Sequence, residues 1–385
     1  MDVVERIVSE VRAQPKVAWV AVPLVAAAMF AMAAGRKYYN ETIPKSMWAM
    51  QATEKGKIEL RRVPVPTPKE GEMLIKVQYS PLNPSDAHCA MDDFDESIVA
   101  SYPHGIGYEA SGIVVGSGGG FLPYWAATRK WRVSARDLTG VGKFWAEYGV
   151  VSVSNMVPLP SSVGMKEGSL SNINPLTALS MLVIAQEGGH KALVHTAASS
   201  TLGLQLIRAA PRFGVKIVAV VRGEKNERTL LEDMKHPADF IVRSDVSSFE
   251  SDLKRAVQTT GATLAFDAIN GEMSRKVYEA LPGKALMHVY GELSGESMPD
   301  ELASKKNDPV KPYSYYLVGP WLDAGGFWRK LKVTWYLYSM LPRELSSSVF
   351  REIDLQDSSL IDAVYAYAKN QKGGKAIIRM PAAAH

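Results

Sequence analysis

The feature that most constrains this chain is a change of hydrophobic period near Asn172. Beyond it, short strand-like runs alternate with helical ones. "KALVHTA" precedes Leu202–Phe213, "VKIVAVV" precedes Lys225–Met234, and "DFIVRS" precedes Val246–Gln258. "TLAFDAI" then leads into Glu272–Leu281, and "KALMHVYG" closes the series. Five apolar runs separated by helices of about ten residues predict βαβ units, because a parallel neighbour can be reached only through a crossover. The fold class is therefore α/β, with a doubly wound parallel sheet.

Upstream, from Trp48 to about Ser171, the pattern is short and β-rich. "MLIKVQYS", "ASGIVVGSG" and "WAEYGVVSVSNMVPLP" alternate or run apolar, punctuated by glycine and proline. Downstream, a polar break at Pro299–Pro312 leads into an aromatic-rich helical region, and "GKAIIRM" reads as one last strand. These shifts predict an N-terminal helix and anchor over 1–46, a β-rich domain over 47–171 and the parallel-sheet domain over 172–320. An aromatic helix and a return to the β-rich domain follow over 321–385.

Composition removes some classes of function. Lys and Arg total 44 against 40 Asp and Glu, a net charge of +4. With no basic run or basic-aromatic motif of the nucleic-acid kind, nucleic acid is not an expected partner. The single cysteine, Cys89, excludes an internal disulfide framework and a multi-cysteine zinc site. No second pair completes a metal site with Cys89 and His88.

The stretch Val17–Ala34, "VAWVAVPLVAAAMFAMAA", holds 18 residues without a charge. As a helix it would cover roughly 27 Å, close to the ~30 Å hydrocarbon core of a bilayer. Pro23 is compatible with that, since membrane-spanning helices tolerate proline. A buried apolar helix and a signal peptide, with Ala31-Met32-Ala33 as its cleavage site, are the competing readings. A matrix presequence fits poorly because Asp2, Glu5 and Glu10 precede the span. Three basic residues precede the span (Arg6, Arg12, Lys16) and three follow (Arg36, Lys37, Lys45), so charge leaves its orientation open.

The turn after "KALVH" reads Ala198-Ser199-Ser200-Thr201-Leu202-Gly203. A strand, a tight turn and a helix N-terminus make an anion site, because the first amides of the helix have no internal acceptor. Glycines usually let the backbone approach a pyrophosphate there. Here only Gly203 remains, and Ser200 and Thr201 add bulk while offering hydroxyl donors.

From Trp48 onward the chain resembles a medium-chain dehydrogenase/reductase of the zinc-free quinone oxidoreductase branch, a relative of the enoyl reductases. The resemblance lies in "SPLNPSDAHCA" (Ser80–Ala90), "PHGIGYEASGIVVGSG" (Pro103–Gly118), "WAEYGVV" (Trp145–Val151) and "INPLTALSML" (Ile173–Leu182). The Rossmann stretch and the terminal "GKAII" follow in the same order. It implies a GroES-like catalytic domain formed by both ends of this body, a Rossmann cofactor domain, and an active site between them. Tyr108 before Glu109 stands where zinc-dependent relatives place a histidine, so no zinc is expected.

The resemblance implies NADPH as cofactor. Its site would comprise Thr177 at the nicotinamide end, Ser199, Ser200, Thr201, Leu202 and Gly203 at the phosphates, and Tyr290 at the end of the fifth run. Arg222, where NAD enzymes place an acid for the ribose, and nearby Lys225 suit a 2′-phosphate, or else Arg222 is a solvated loop arginine. On the catalytic side, Asn83 could orient a substrate carbonyl. The enoyl reductases' tyrosine falls at Phe94, which has no hydroxyl to give a developing oxyanion.

"YSYYLVGPWLDAGGFWRKLKVTWYLYSM" (Tyr313–Met340) interleaves aromatics with Arg329, Lys330 and Lys332. It reads either as a helix buried between the domains or as a membrane-surface or partner-docking helix. The expected function is a membrane-anchored quinone oxidoreductase-like protein. It would be an accessory subunit of a mitochondrial respiratory complex in the inner membrane, with weakened catalysis. The alternative is an active NADPH-dependent quinone, enone or enoyl-thioester reductase.

Overall fold

A computed structural model describes residues 37–39, 43–91, 101–137, 143–232, 240–306, 308–347, 351–368 and 375–381. The apolar span Val17–Ala34 and Phe94 lie outside the described residues. Among the described residues no helix is long and apolar enough to cross a membrane.

The parallel sheet forms as the alternation predicts. Its strands run in the order Phe240–Arg243, Lys216–Val221, Ala192–His195, Leu264–Asp267, Leu286–Val289 and Tyr313–Tyr315. Every neighbouring pair is parallel. The order reverses between Ala192–His195 and Leu264–Asp267, which creates a crevice at the carboxyl ends of these two strands. Tyr313–Tyr315, read from sequence as the start of the aromatic helical region, is instead a sixth strand. Three residues are too few to show a period.

The helix after the turn also departs from the sequence reading. It runs Thr201–Ala209 and passes into a 3₁₀ turn, Ala210–Phe213, that holds Pro211. The proline ends the α-helix, because a ring in place of an amide cannot continue the ladder.

The β-rich body carries a sheet that runs from Arg351–Asp354 through Ala376–Arg379, Glu72–Leu82, Glu109–Ser117 and Arg132–Arg136 to Met156–Pro158. The C-terminal strand Ala376–Arg379 thus returns to the first domain, antiparallel to Glu72–Leu82, with Ala376 opposite Leu82. That register brings Lys375 beside Asn83, although they are far apart in sequence. Trp145 and Phe144 are fully buried in this body's core. Gly107, at φ +97°, lies so close to Trp145 that a Cβ would stand 2.4 Å from its ring.

The aromatic helix runs Gly326–Met340. Val333, Leu337 and Met340 join the core that holds Leu193 and Phe266 of the parallel sheet, together with Val157 and Leu159 of the first domain. The expectation of a helix buried between domains is met on this face alone. Phe327, Trp328, Leu331, Trp335 and Tyr338 on the other side are exposed.

Candidate functional site

At the crevice, the strand Ala192–His195 delivers the chain into the turn that starts the helix Thr201–Ala209. Ala197 takes the left-handed conformation, φ +50°, whereas Ser200 sits at φ −69°. The turn therefore asks for no glycine at Ser200. The Ser200 hydroxyl accepts the Gly203 amide at 3.2 Å and caps the helix, and its carbonyl accepts the Leu204 amide at 2.9 Å. Helix geometry leaves the amides of Thr201 and Leu202 without a carbonyl to reach, so they can serve an anion. Gly203 is where the helix presses on its own turn: a Cβ there would lie 2.3 Å from the Ala198 carbonyl oxygen.

This turn fits a dinucleotide's phosphates. Ser199, Ser200 and Thr201 are half-buried, and Leu202 and Gly203 are buried beneath them. Beyond the second strand, Arg222 and Lys225 are exposed and pair with no acid among the described residues. The nearby Asp245 accepts the Gly223 amide at 2.8 Å and Arg243 Nη2 at 2.9 Å, which hold its carboxyl well below the usual range. The cations of this turn are thus left available to a phosphate. NADPH bound here would supply a hydride.

Thr177, expected at the nicotinamide end, and Tyr290, expected in the cofactor site, both use their hydroxyls within the protein. The Thr177 hydroxyl donates to the Ile173 carbonyl at 2.7 Å, inside its own helix. The Tyr290 hydroxyl shares a 2.9 Å hydrogen bond with His195 Nε2, and the two rings stack at 5.8 Å. Burial pushes the imidazole down to about 3 and the phenol up, so the pair is neutral at ordinary pH. His195 Nδ1 is buried with no hydrogen-bond partner among the described residues.

Across the junction lies a cluster that the sequence reading did not assemble. Asn83 is buried. Its Nδ2 donates to Glu109 Oε1 at 3.2 Å, and its Oδ1 accepts from the Lys375 ammonium. Glu109 Oε2 also accepts the amides of Ile173 at 2.7 Å and Asn172 at 3.3 Å, at the start of the helix Ile173–Glu187. Asp86 accepts the Asn83 amide at 2.7 Å and the Tyr108 amide at 2.8 Å. Burial pushes Asp86 up to about 7, pushes Glu109 up and pulls Lys375 down; Glu109 and Asp86 partly offset the Lys375 shift. Arg136, also buried, extends the junction by donating to Asn172 Oδ1 and the Ser154 carbonyl, both at 2.9 Å.

The Asn83 amide expected to orient a substrate carbonyl is thus held in place by the cluster, with one N–H left to donate. Its carbonyl oxygen and one N–H are already committed. Lys375, Glu109 and His195 were missed because their significance lies in partners distant in the chain. The one available signal was a lysine directly before a terminal apolar strand.

The alcohol dehydrogenase GroES-like domain family matches residues 69–161. A zinc-type alcohol dehydrogenase-like protein of Schizosaccharomyces pombe is 28% identical over 193 residues, 49% of this chain and 57% of that protein. The mitochondrial enoyl-[acyl-carrier-protein] reductase of Caenorhabditis elegans is 25% identical over 248 residues, 62% of this chain and 67% of that protein. The match thus spans little more than half the length of the first relative and about two thirds of the second.

Among solved structures, a Mesorhizobium loti protein assigned as an NADPH:quinone reductase superposes with a TM-score of 0.73 at 25% identity. That superposition covers 88% of this chain and 99% of the other. Escherichia coli quinone oxidoreductase complexed with NADPH shares the fold, with a TM-score of 0.70 at 15% identity, covering 86% of this chain and 99% of the other. In fold and sequence the chain is thus similar to medium-chain dehydrogenases/reductases of the quinone oxidoreductase and enoyl reductase type, and residues 69–161 match their GroES-like domain.

Proposed function

We propose that this quinone oxidoreductase-like chain keeps an NADPH site but turns over weakly, and that the span Val17–Ala34 holds it in a membrane. In this reading it is an accessory subunit of a respiratory complex in the mitochondrial inner membrane. The observation that carries the reading is the state of Asn83, whose amide is committed to Lys375 and Glu109. The cofactor turn, by contrast, keeps free amides and exposed cations. Phe94 adds no hydroxyl on the substrate side, and losing an oxyanion donor typically costs on the order of 10²–10³ in rate.

One observation favours a second reading, an active NADPH-dependent reductase of quinones or enones. Ser200 and Thr201 do not close the phosphate turn, since Ser200 caps its helix at an ordinary φ. One experiment separates the two. Full-length protein in detergent is titrated with NADPH and NADH by fluorescence, then assayed with simple quinones and enoyl thioesters. The accessory reading expects saturable binding that prefers NADPH, a preference erased by Arg222→Ala, and turnover barely above background. Robust turnover saturable in NADPH would leave the active reductase standing instead.

A further inference from the structure

The helix Gly326–Met340 has two apolar faces and uses only one. Val333, Leu337 and Met340 are in the core. Phe327, Leu331, Trp335 and Tyr338 recur at steps of four, four and three residues along the opposite side, with Trp328 beside them. Phe327 is 69% exposed, Trp328 76% and Trp335 64%. Leu317, just ahead of the preceding short helix, adds to this exposed apolar surface. Isolated exposed apolar residues need no explanation, but a continuous aromatic stripe on a helix does.

The charge pattern says what fits. Arg329, Lys330 and Lys332 interleave with the stripe, and the helix contains no acidic residue. The partners of these bases are at the protein surface: Glu187 at 3.5 Å from both Arg329 and Lys332, and Asp323 at 2.6 Å from Lys330. Arg329 is also held by the Trp321 carbonyl at 2.9 Å and by the Trp321 ring. The exposed pairs of Lys330 and Lys332 are worth little, so these two cations can be re-partnered by phosphates at small cost. Trp and Tyr flanked by Lys and Arg is the composition of a helix lying at the level of lipid headgroups. A second copy of this chain is disfavoured as the occupant, because a two-fold pairing of this face would set its lysines and arginine against each other.

We propose that the exposed face of Gly326–Met340 lies on an anionic lipid surface, rings at the headgroup boundary and lysines on the phosphates. The proposal rests on the anchor reading only for bringing the protein near a bilayer; the face itself is independent of Val17–Ala34.

The test uses the full-length chain in vesicles of phosphatidylcholine and phosphatidylglycerol whose acyl chains carry bromine just below the headgroup. Bromine quenches nearby tryptophan, and a Trp19→Phe background removes the tryptophan of the apolar span. The expected result is that Trp328→Phe with Trp335→Phe lowers the quenched fraction about twofold, since these rings are the ones at the boundary. An unchanged quenched fraction overturns the inference, whether another protein or another part of this chain covers the face. Carbonate washing reports on the anchor separately. If it releases the protein, the same comparison is made on protein added to preformed vesicles. Quenching that still depends on Trp328 and Trp335 then upholds the surface while removing the anchor, and absence of quenching overturns the surface.

Discussion

Glu109 and Asp267 are both buried carboxylates, one in each half of the molecule, and they are satisfied by different chemistry. Glu109 opens a strand of the β-rich sheet and is answered by Asn83, by the amides of Asn172 and Ile173, and electrostatically by Lys375. Asp267 ends a strand of the parallel sheet and is answered by neutral donors alone. It accepts from the Thr196 hydroxyl at 2.5 Å, the amides of Ile269 at 3.1 Å and Asn270 at 3.0 Å, and the Ser274 hydroxyl. Three of the four Asp267 partners follow it within seven residues, in the loop and the first turn of the next helix, so it shapes the crevice locally. Glu109 gathers partners from three separated parts of the chain, among them the start of the helix Ile173–Glu187. The lesson is that Asp267 is satisfied by neutral donors, three of them within seven residues of it, whereas Glu109 sits in a long-range charge cluster that also holds Asn83.

Removing the cation should break the junction hardest. Lys375→Met leaves Glu109 and Asp86 buried without a positive partner, and loss of one member of a buried pair costs about 3–5 kcal/mol. Adding Glu109→Gln should restore much of that in urea unfolding, because the amide keeps hydrogen bonds without charge. A single variant as stable as the parent would show that the ammonium does not hold the junction.

On the cofactor side, Asp267→Ala strands two hydroxyls and two amides and should cost about 2–3 kcal/mol. Asp267→Asn retains an acceptor and should cost nearer to 1 kcal/mol. Equal losses for the two variants would argue that charge, not hydrogen bonding, is what the loop needs there.

The smallest effect per step is in pH. Asp86 has its folded value raised to about 7, so the folded state binds this proton more tightly than the unfolded chain does. Its contribution to stability is full below the ordinary carboxylate range and is lost as pH rises through about 7. The slope is at most about 1.4 kcal/mol per pH unit. Asp86→Asn should flatten the fall in stability across that window, as read from thermal midpoints at several pH values; a parent curve already flat there would remove the basis for the assignment.

How much of this was legible beforehand follows from the range of the forces involved. The doubly wound sheet could be read from five apolar runs because burial on both faces writes itself into each run separately. The phosphate turn was legible by position, being where a strand meets a helix. Its working state was not. Whether Ser200 blocks or caps depends on a dihedral angle and on where one hydroxyl points. The aromatic helix was recognisable by composition, but which rings are buried was settled only when Val333, Leu337 and Met340 found the sheet.

The sequence by itself determined the α/β alternation, the β-rich body, the place of the turn and the apolar N-terminal stretch. Each follows from local propensity and from hydrophobic period, which act over a few residues. Only the tertiary structure decided that Lys375 meets Asn83, that Glu109 receives the amides of Asn172 and Ile173 and that Tyr290 turns to His195. Hydrogen bonds and buried charges act over about 3 Å, and no local pattern encodes which distant residue will arrive within that distance.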